Sequence, residues 1–133
     1  MVFFWINKYW PSKEEPLGQA GERVAEKFLR KKGFRLLHKN YKTPYGELDL
    51  VMRQNETIVF VEVKTRRSAL KGEPHEAVHT EKQKRLTRQA FAYLKKFYSL
   101  NERARFDIVS IVWPLSEVPT INHFENAFEA QTS

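Results

Sequence analysis

Charged side chains occur inside a run of residues that otherwise has the composition of a buried strand. Residues Ile58 to Thr65 are rich in β-branched and aromatic side chains, which is typical of a strand with at least one buried face. Because side chains alternate along a strand, Glu62 and Lys64 are expected on the same face as Ile58 and Phe60. A carboxylate and an ammonium are costly to bury unless they are paired. This run therefore predicts that Glu62 and Lys64 belong to a functional site.

The preceding run adds two more acids with the same alternation. Glu47 and Asp49 lie just before the polar segment Arg53 to Glu56, where a two-residue hairpin turn is the natural connection. The predicted register places Asp49 opposite Phe60 and Glu47 opposite Glu62. The opposite face of this strand is then expected to carry Leu48, Leu50 and Met52.

Three acids and Lys64 would then share one face, with Asp49 diagonal to Glu62. Such a set predicts a divalent-metal site with a basic partner. The alternative is a ladder of charges on a solvated face. We favour the site, because a solvated face would not also carry Val51, Ile58 and Phe60.

Length and composition indicate one domain. The chain has 133 residues, of which 41% are hydrophobic and 14% aromatic, enough for a substantial core. We interpret residues 1–16 as a flexible N-terminal arm and residues 17–133 as a single domain. No stretch is long enough to span a membrane. The absence of cysteine excludes disulfides and thiolate metal sites, and it fits a cytoplasmic protein.

Net charge is unevenly distributed along the chain. The formal charge is +7, and all 23 Lys and Arg lie in residues 1–105 together with 12 acids. Residues 106–133 contain four acids and no Lys or Arg. A basic body of this kind suits a polyanion such as nucleic acid. The alternative, weighed equally on charge alone, is that surplus cations only keep the protein soluble.

Two helices are predicted by apolar periodicity. The first runs from Leu17 to Lys32 and ends at Gly33, and its Glu22 falls at the edge of the buried sector. The second runs from Thr80 to about Tyr98, with Thr80 and Gln83 forming a capping box. Gln83 lies on the buried stripe of this helix, whose other members are Leu86, Ala90, Tyr93, Leu94 and Phe97.

Three further strands are expected at Phe34–Tyr41, Arg105–Trp113 and Thr120–Phe124, and a loop at Arg66–His79. The order helix, three strands, helix, strand predicts an α/β fold with a mixed β-sheet flanked by helices.

Several segments of the chain resemble those of a known family. The chain resembles the YraN family of small bacterial proteins, in the PD-(D/E)xK or restriction-endonuclease-like group, and it is similar to the archaeal Holliday-junction resolvases of that group. The match runs from about Leu17 to Phe128. It is carried by the segments Gly21-Glu22, Asn40-Tyr41, Gly46-Glu47-Leu48-Asp49-Leu50, Phe60-Val61-Glu62-Val63-Lys64-Thr65-Arg66, Glu76-Ala77-Val78, Lys82-Gln83 and Arg105-Phe106-Asp107.

The resemblance implies a restriction-endonuclease-like core and a metal-dependent endonuclease acting on phosphodiester bonds in DNA. Asp49 and Glu62 would bind Mg²⁺ or Mn²⁺, and the Val63 carbonyl would supply a third ligand. Glu22 would assist the metal directly or through water. Hard divalent cations prefer oxygen ligands, which fits this set.

The resemblance also implies roles for the remaining polar residues. Lys64 would position or polarise the attacking water, and Gln83 would orient Lys64 or that water. Contacts to DNA phosphates are expected from the basic helix faces and the loop after the third strand, namely Arg66, Arg67, Lys71, Lys82, Lys84 and Arg85. The role of Glu47 is left open.

Two alternatives remain at the level of sequence. The first is a nucleic-acid-binding module that retains the nuclease fold without turnover. The second is a structural protein in which the acids are salt-bridge partners of Lys64 and Arg66. The substrate, whether a junction, a flap, single-stranded DNA or RNA, is left open. Junction resolvases of the group work as dimers, so the resemblance also makes a homodimer a form to test.

Overall fold

A computed structural model describes residues 15–69 and 79–132. It contains two helices and five strands in these ranges: α1 (Leu17–Lys31), β1 (Arg35–Thr43), β2 (Gly46–Gln54), β3 (Thr57–Arg66), α2 (Thr80–Phe97), β4 (Ala104–Val112) and β5 (Thr120–Phe128). The predicted arm, except for its last two residues, lies outside the described residues, and so do Lys71 and most of the predicted loop. In the part that is described, neither helix has the length and apolar character needed to cross a bilayer.

The five strands form one mixed sheet in the order β1-β2-β3-β4-β5. All neighbouring pairs are antiparallel except β3 and β4, which run parallel. A parallel pair needs a crossover connection, and α2 provides it. The predicted α/β fold with a mixed sheet flanked by helices is confirmed.

Each helix covers one face of the sheet with its own hydrophobic core. The α1 face contains Ala20, Val24, Ala25 and Leu29 against sheet residues such as Leu50 and Val61. The α2 face contains Leu86, Ala90, Tyr93 and Leu94 against sheet residues such as Phe60 and Ile108. The predicted stripe of α2 is confirmed except at Phe97, which is 41% exposed because it lies in the last turn.

The C-terminal end of α1 agrees with the prediction, whereas the start of α2 does not. α1 ends as expected before Gly33, whose φ of 95° is favourable for glycine. The capping box of α2 is wrong, because His79 is the N-cap residue and no side chain caps the helix. Thr80 is already helical, and the Gln83 N–H donates to the His79 carbonyl.

β5 extends four residues beyond the predicted end at Phe124. It pairs with β4 as far as Phe106 and Phe128, across an irregularity between Phe106 and Ile108. Asn126, with φ 50°, accommodates this irregularity without breaking the strand.

The hairpin register differs from the predicted one by two residues. Val51, not Asp49, is opposite Phe60, and the last pair before the turn is Gln54 with Thr57. Asn55 in the two-residue turn has φ 54°, a conformation that asparagine tolerates. Because the shift is even, β3 keeps its predicted faces, and Asp49 comes beside Glu62 instead of Phe60.

Candidate functional site at the strand fork

The ladder between β2 and β3 ends at the pair Leu50 and Val61, and the two strands diverge beyond it. Asp49 Oδ2 lies in this opening and accepts a hydrogen bond of 2.9 Å from the Val63 N–H. The Asp49 carboxylate thus replaces the backbone carbonyl that would accept this N–H if the ladder continued. We call this opening, bounded by Asp49 and by Glu62 to Val63, the strand fork.

The side chains of β2 change face at the strand fork, contrary to the predicted alternation. Leu50 packs on the α1 side as expected, but Leu48 packs on the α2 side. Asn40 of β1, between the partners of Leu48 and Leu50, has φ 51°, so the strand pair is distorted there. Asp49 therefore sits at a point that groups from both helices can approach.

The two central acids of the site are in contact. Asp49 forms a side-chain hydrogen bond with Glu62, and both are largely buried. Burial, followed by the negative charges of Glu62 and Glu22, raises the pKa of Asp49 to about 8, although the Val63 N–H favours the ionised form. This carboxyl group therefore holds a proton at neutral pH unless another positive charge is supplied.

Two lysines contact the same oxygen of Glu62. Lys82 Nζ lies 2.6 Å and Lys64 Nζ lies 3.5 Å from Glu62 Oε1. Burial and then the neighbouring Lys82 lower the pKa of Lys64. Burial alone would also lower the pKa of Lys82, but its hydrogen bonds with Glu62 and Lys64 and the negative charge of Glu62 raise it.

Lys82 contacts a different group in the structure from the one predicted from the sequence. It was expected to contact phosphate, whereas the structure pairs it with Glu62. The available signal was its spacing, because Lys82 lies four residues before Leu86 and seven before Gln89, both buried residues of α2. A lysine on the buried stripe of a helix calls for a carboxylate partner.

Glu22 approaches the strand fork from α1. Its Oε1 accepts a hydrogen bond of 2.7 Å from Asn40 Nδ2, and its charge raises the pKa of Asp49. The close approach of α1 depends on Gly21, because a Cβ there would overlap Thr65 Oγ1 of β3. The structure therefore brings together four of the predicted residues, Glu22, Asp49, Glu62 and Lys64.

Val63 bounds the strand fork and Gln83 follows Lys82 in α2, and the predicted roles of both stay predictions. Gln83 is partly buried in the first turn of α2, beside Lys82. The Val63 side chain packs against the α1-side core, and its N–H is bound to Asp49.

A pocket of about 220 Å³ lies in front of the acids, on the α2 side. We call it the acidic pocket, and it is lined by Tyr45, Gly46, Glu47, Asp49, Glu62, Lys82, Arg85, Leu86 and Gln89. Glu47 is exposed at its edge.

The donor set for a metal is smaller than the sequence indicated. Within residues 15–69 and 79–132, no three His, Asp or Glu side chains are grouped closely enough to hold one ion. The three acids of the predicted shared face, Glu47, Asp49 and Glu62, therefore do not form such a group. Asp49 and Glu62 remain as a pair of oxygen donors. They suit a hard divalent cation, because a positive charge would relieve the crowding that now keeps Asp49 protonated.

A second, larger depression of about 490 Å³ adjoins the acidic pocket. We call it the basic groove, and it is lined by Tyr45, His79, Glu81, Lys82, Lys84, Arg85 and Arg88. It contains three of the predicted phosphate-binding residues, Lys82, Lys84 and Arg85. Tyr45, Lys82 and Arg85 line both cavities, so the two are adjacent.

Arg66 and Arg67 lie at the end of β3, outside the linings of both cavities. The Arg66 carbonyl accepts the Trp113 N–H, and Arg67 Nη1 donates to the Trp113 carbonyl. These bonds join the end of β3 to the segment after β4. The role of Arg66 and Arg67 as phosphate contacts stays a prediction, as does that of Lys71.

Asp107, part of a segment that carries the family resemblance, belongs to a separate cluster. Its carboxylate is fully buried and accepts hydrogen bonds from Arg105, His123 and the Asn126 N–H. Burial would raise the pKa of Asp107, but these bonds outweigh it and hold the pKa below its ordinary value. The cluster cross-links β4 and β5.

Comparison with known proteins gives the following similarities. A sequence model of the uncharacterised protein family UPF0102 matches residues 21–111. A UPF0102 protein of Desulfosudis oleivorans is 39% identical over 119 residues, which cover 90% of this chain and 94% of that protein. A UPF0102 protein of Syntrophomonas wolfei is 47% identical over 112 residues, covering 84% of this chain and 96% of that one.

Among solved structures, SfsA of Pyrococcus furiosus, determined in complex with Ca²⁺, aligns with a TM-score of 0.37 and 16% identity. The alignment covers 82% of this chain and 62% of SfsA.

Proposed function

We propose that this chain, which belongs to the UPF0102 (YraN) family, is a metal-dependent endonuclease that hydrolyses phosphodiester bonds in DNA. One observation carries the proposal: Asp49 and Glu62 are in contact in the strand fork, with Lys64 and Lys82 on Glu62 and a basic groove alongside. The acids and lysines thus lie together, and the cationic surface that could hold a phosphodiester backbone lies beside them.

Asp49 and Glu62 would hold Mg²⁺ or Mn²⁺, with the Val63 carbonyl as the proposed third ligand. When bound, the cation would lower the pKa of a water molecule and neutralise charge on the phosphate. The chain itself supplies the rest. Lys64 and Lys82 are held by Glu62, so their ammonium groups are oriented before substrate arrives and can stabilise negative charge on the reacting oxygens.

Glu22 supports the site from the other face of the sheet. Its hydrogen bond with Asn40 fixes its carboxylate, and its charge acts on Asp49. Ionisation of Asp49 is unfavourable next to two other acids, so its proton would leave when the cation binds.

A second candidate is a nucleic-acid-binding module without turnover. The observation that favours it is the 2.6 Å contact between Lys82 and Glu62, since a carboxylate that already has a cationic partner has less need of a metal. Site-specific metal binding separates the two candidates.

The test combines Mn²⁺ calorimetry with cleavage of a panel of linear and branched DNA and RNA in Mg²⁺ or Mn²⁺. We expect Mn²⁺ binding by the parent chain and its loss in Asp49→Asn and Glu62→Gln. Glu56→Gln is the matched control, because it makes the same kind of acid-to-amide change at the exposed turn of the same hairpin. Equal Mn²⁺ binding by all four proteins, or no cleavage of any substrate, would contradict the proposal.

A further inference from the structure

Tyr45 occupies a position that the proposed chemistry does not explain. Its side chain is 50% exposed, although it lies in the short turn between β1 and β2 at the junction of the two cavities. It lines both the acidic pocket and the basic groove. A ligand that extends from one cavity to the other would pass beside Tyr45.

The turn that carries Tyr45 is held against α2 by specific contacts. Gln89, which is 2% exposed, donates from Nε2 to the Tyr45 carbonyl at 3.1 Å. Gly46 has φ 130°, and a Cβ there would overlap the Gln89 amide, so only glycine allows this approach. Thr43 Oγ1 donates to the Gly46 carbonyl and accepts the Tyr45 N–H. The exposed ring is therefore mounted on a fixed turn.

The groove beside Tyr45 has the charge that a phosphate backbone requires. Arg85 and Arg88 are exposed, and neither has an ion-pair partner among the residues that the structure describes. Lys84 contributes a third cation, and its Nζ lies 3.7 Å from the exposed Glu81. The volume of about 490 Å³ falls within the range of small-ligand sites, which suits a nucleotide unit but not a double helix.

We infer that Tyr45 is a stacking platform for one unpaired base of a single nucleic-acid strand, whose phosphates lie along Arg85 and Arg88. The ring faces of a base inside a duplex are covered by its neighbours, so a half-exposed tyrosine can stack on a base of an unpaired strand but not on a base inside a duplex. The strand continues from the basic groove into the acidic pocket. The inference rests on the proposed function for that last step, and it names an unpaired strand as the substrate class.

The experiment measures binding without turnover, by fluorescence anisotropy of a labelled single strand and of the matching duplex in EDTA. In Tyr45→Ala we expect affinity for the single strand to fall about 5- to 150-fold, the loss that removal of one stacking side chain causes. Affinity for the duplex should change less than about twofold, because phosphate contacts remain. Tyr45→Phe should bind like the parent, since it keeps the ring.

Phe91→Ala is the matched control, because Phe91 is an exposed ring on α2 that lines neither cavity. Equal losses for single strand and duplex, an unchanged Tyr45→Ala, or a Tyr45→Phe as weak as Tyr45→Ala would overturn the inference. So would a parent chain that binds no single strand. A chain that shows the predicted Tyr45 pattern but never cleaves would support this inference while contradicting the proposed function.

Discussion

At the scale of single residues, the unusual feature is that Glu62 contacts two lysines and a second acid at the same time. Its 11% exposed side chain contacts Lys82, Lys64 and Asp49. A charge so far removed from water is tolerated only with such partners. The same contacts hold both ammonium groups beside the acids, so the arrangement that stabilises Glu62 also prepares the site.

Lys64→Ala should slow phosphodiester hydrolysis by about two to three orders of magnitude, the cost of losing one preoriented electrostatic group. Substrate affinity should change little, because other cations hold the backbone. Single-turnover cleavage compared with binding tests this, with Lys95→Ala as a control at the far end of α2. A variant that cleaves at the parental rate, or that loses only affinity, would make Lys64 a phosphate anchor.

Asp49→Asn should stabilise the metal-free fold at pH 8 by about 1–2 kcal/mol. Between pH 4 and 8, native Asp49 retains a proton that the unfolded chain has lost, since its pKa is raised from 3.8 to about 8. Parental stability therefore falls as the pH rises through this window, whereas asparagine carries no such penalty. Urea unfolding in EDTA at pH 4.5 and pH 8 measures the difference, and a gain that is independent of pH would contradict it.

At the scale of elements, the site depends on how closely α1 approaches β3. A Cβ at Gly21 would lie 2.9 Å from the Cβ of Thr65 and would overlap its hydroxyl oxygen. The absence of a side chain at Gly21 therefore sets the distance between helix and sheet, and with it the reach of Glu22 toward Asn40 and Asp49.

Gly21→Ala should destabilise the protein by about 1–3 kcal/mol, because the added methyl group must push α1 away from β3. Metal affinity should fall as well, because Glu22 moves with the helix. Gly18→Ala in the same helix is the control. It has no neighbour within 4 Å, so alanine should be neutral or stabilising by up to about 1 kcal/mol. Denaturant unfolding of both variants would show whether the difference depends on contact with Thr65.

The β4–β5 edge depends on buried Asp107. Asp107→Asn should cost about 3 kcal/mol, because Arg105 and His123 lose their charged partner. Glu125→Gln removes a second acid near Arg105 but should cost less than about 1 kcal/mol, since Glu125 is exposed and 3.9 Å away.

The pH dependence of the Asp107→Asn cost provides an independent check. The pKa of Asp107 is held below 3.8, so its contribution is present above about pH 4 and is lost as the pH falls through the lowered value. The difference between parent and variant should therefore shrink in acid. A constant difference between pH 3 and pH 7 would argue that packing, not charge, explains the effect.

At the scale of the whole molecule, charge is the property most relevant to a partner. All 23 Lys and Arg lie in residues 1–105, which also supply both helices and the residues of both cavities. The residues from 106 onward are acidic and form most of β4 and all of β5, the far side of the sheet from β1. A polyanion is therefore expected at the α2 side and not at the β5 edge.

Binding to DNA should weaken steeply with salt, because phosphate contacts release counterions. The double variant Arg85→Ala, Arg88→Ala should reduce the slope of log affinity against log salt by about 2, one for each phosphate contact. Lys95→Ala, Lys96→Ala removes equal charge at the C-terminal end of α2 and should leave the slope nearly unchanged. If both double variants reduce the slope equally, the cations act as a diffuse field and the basic groove has no special part in binding.

The sequence by itself determined the elements, the faces of most strands and the family. Periodicity placed α1 within one residue at its C-terminal end, because Gly33 stops the helix locally. Alternation placed Val51, Ile58 and Phe60 on one face and Leu50 and Met52 on the other. These features follow from local backbone geometry and from the separation of apolar and polar side chains, both of which can be read from neighbouring residues.

The tertiary structure decided the details on which the site depends. The two-residue register shift, the change of face between Leu48 and Leu50, and the contact of Asp49 with the Val63 N–H all arise where β2 leaves β3. The pairing of Lys82 with Glu62 and the mounting of Tyr45 on Gln89 join residues about 20 and 44 positions apart. Such contacts depend on how a helix docks on a sheet, and local periodicity carries no information about docking distance.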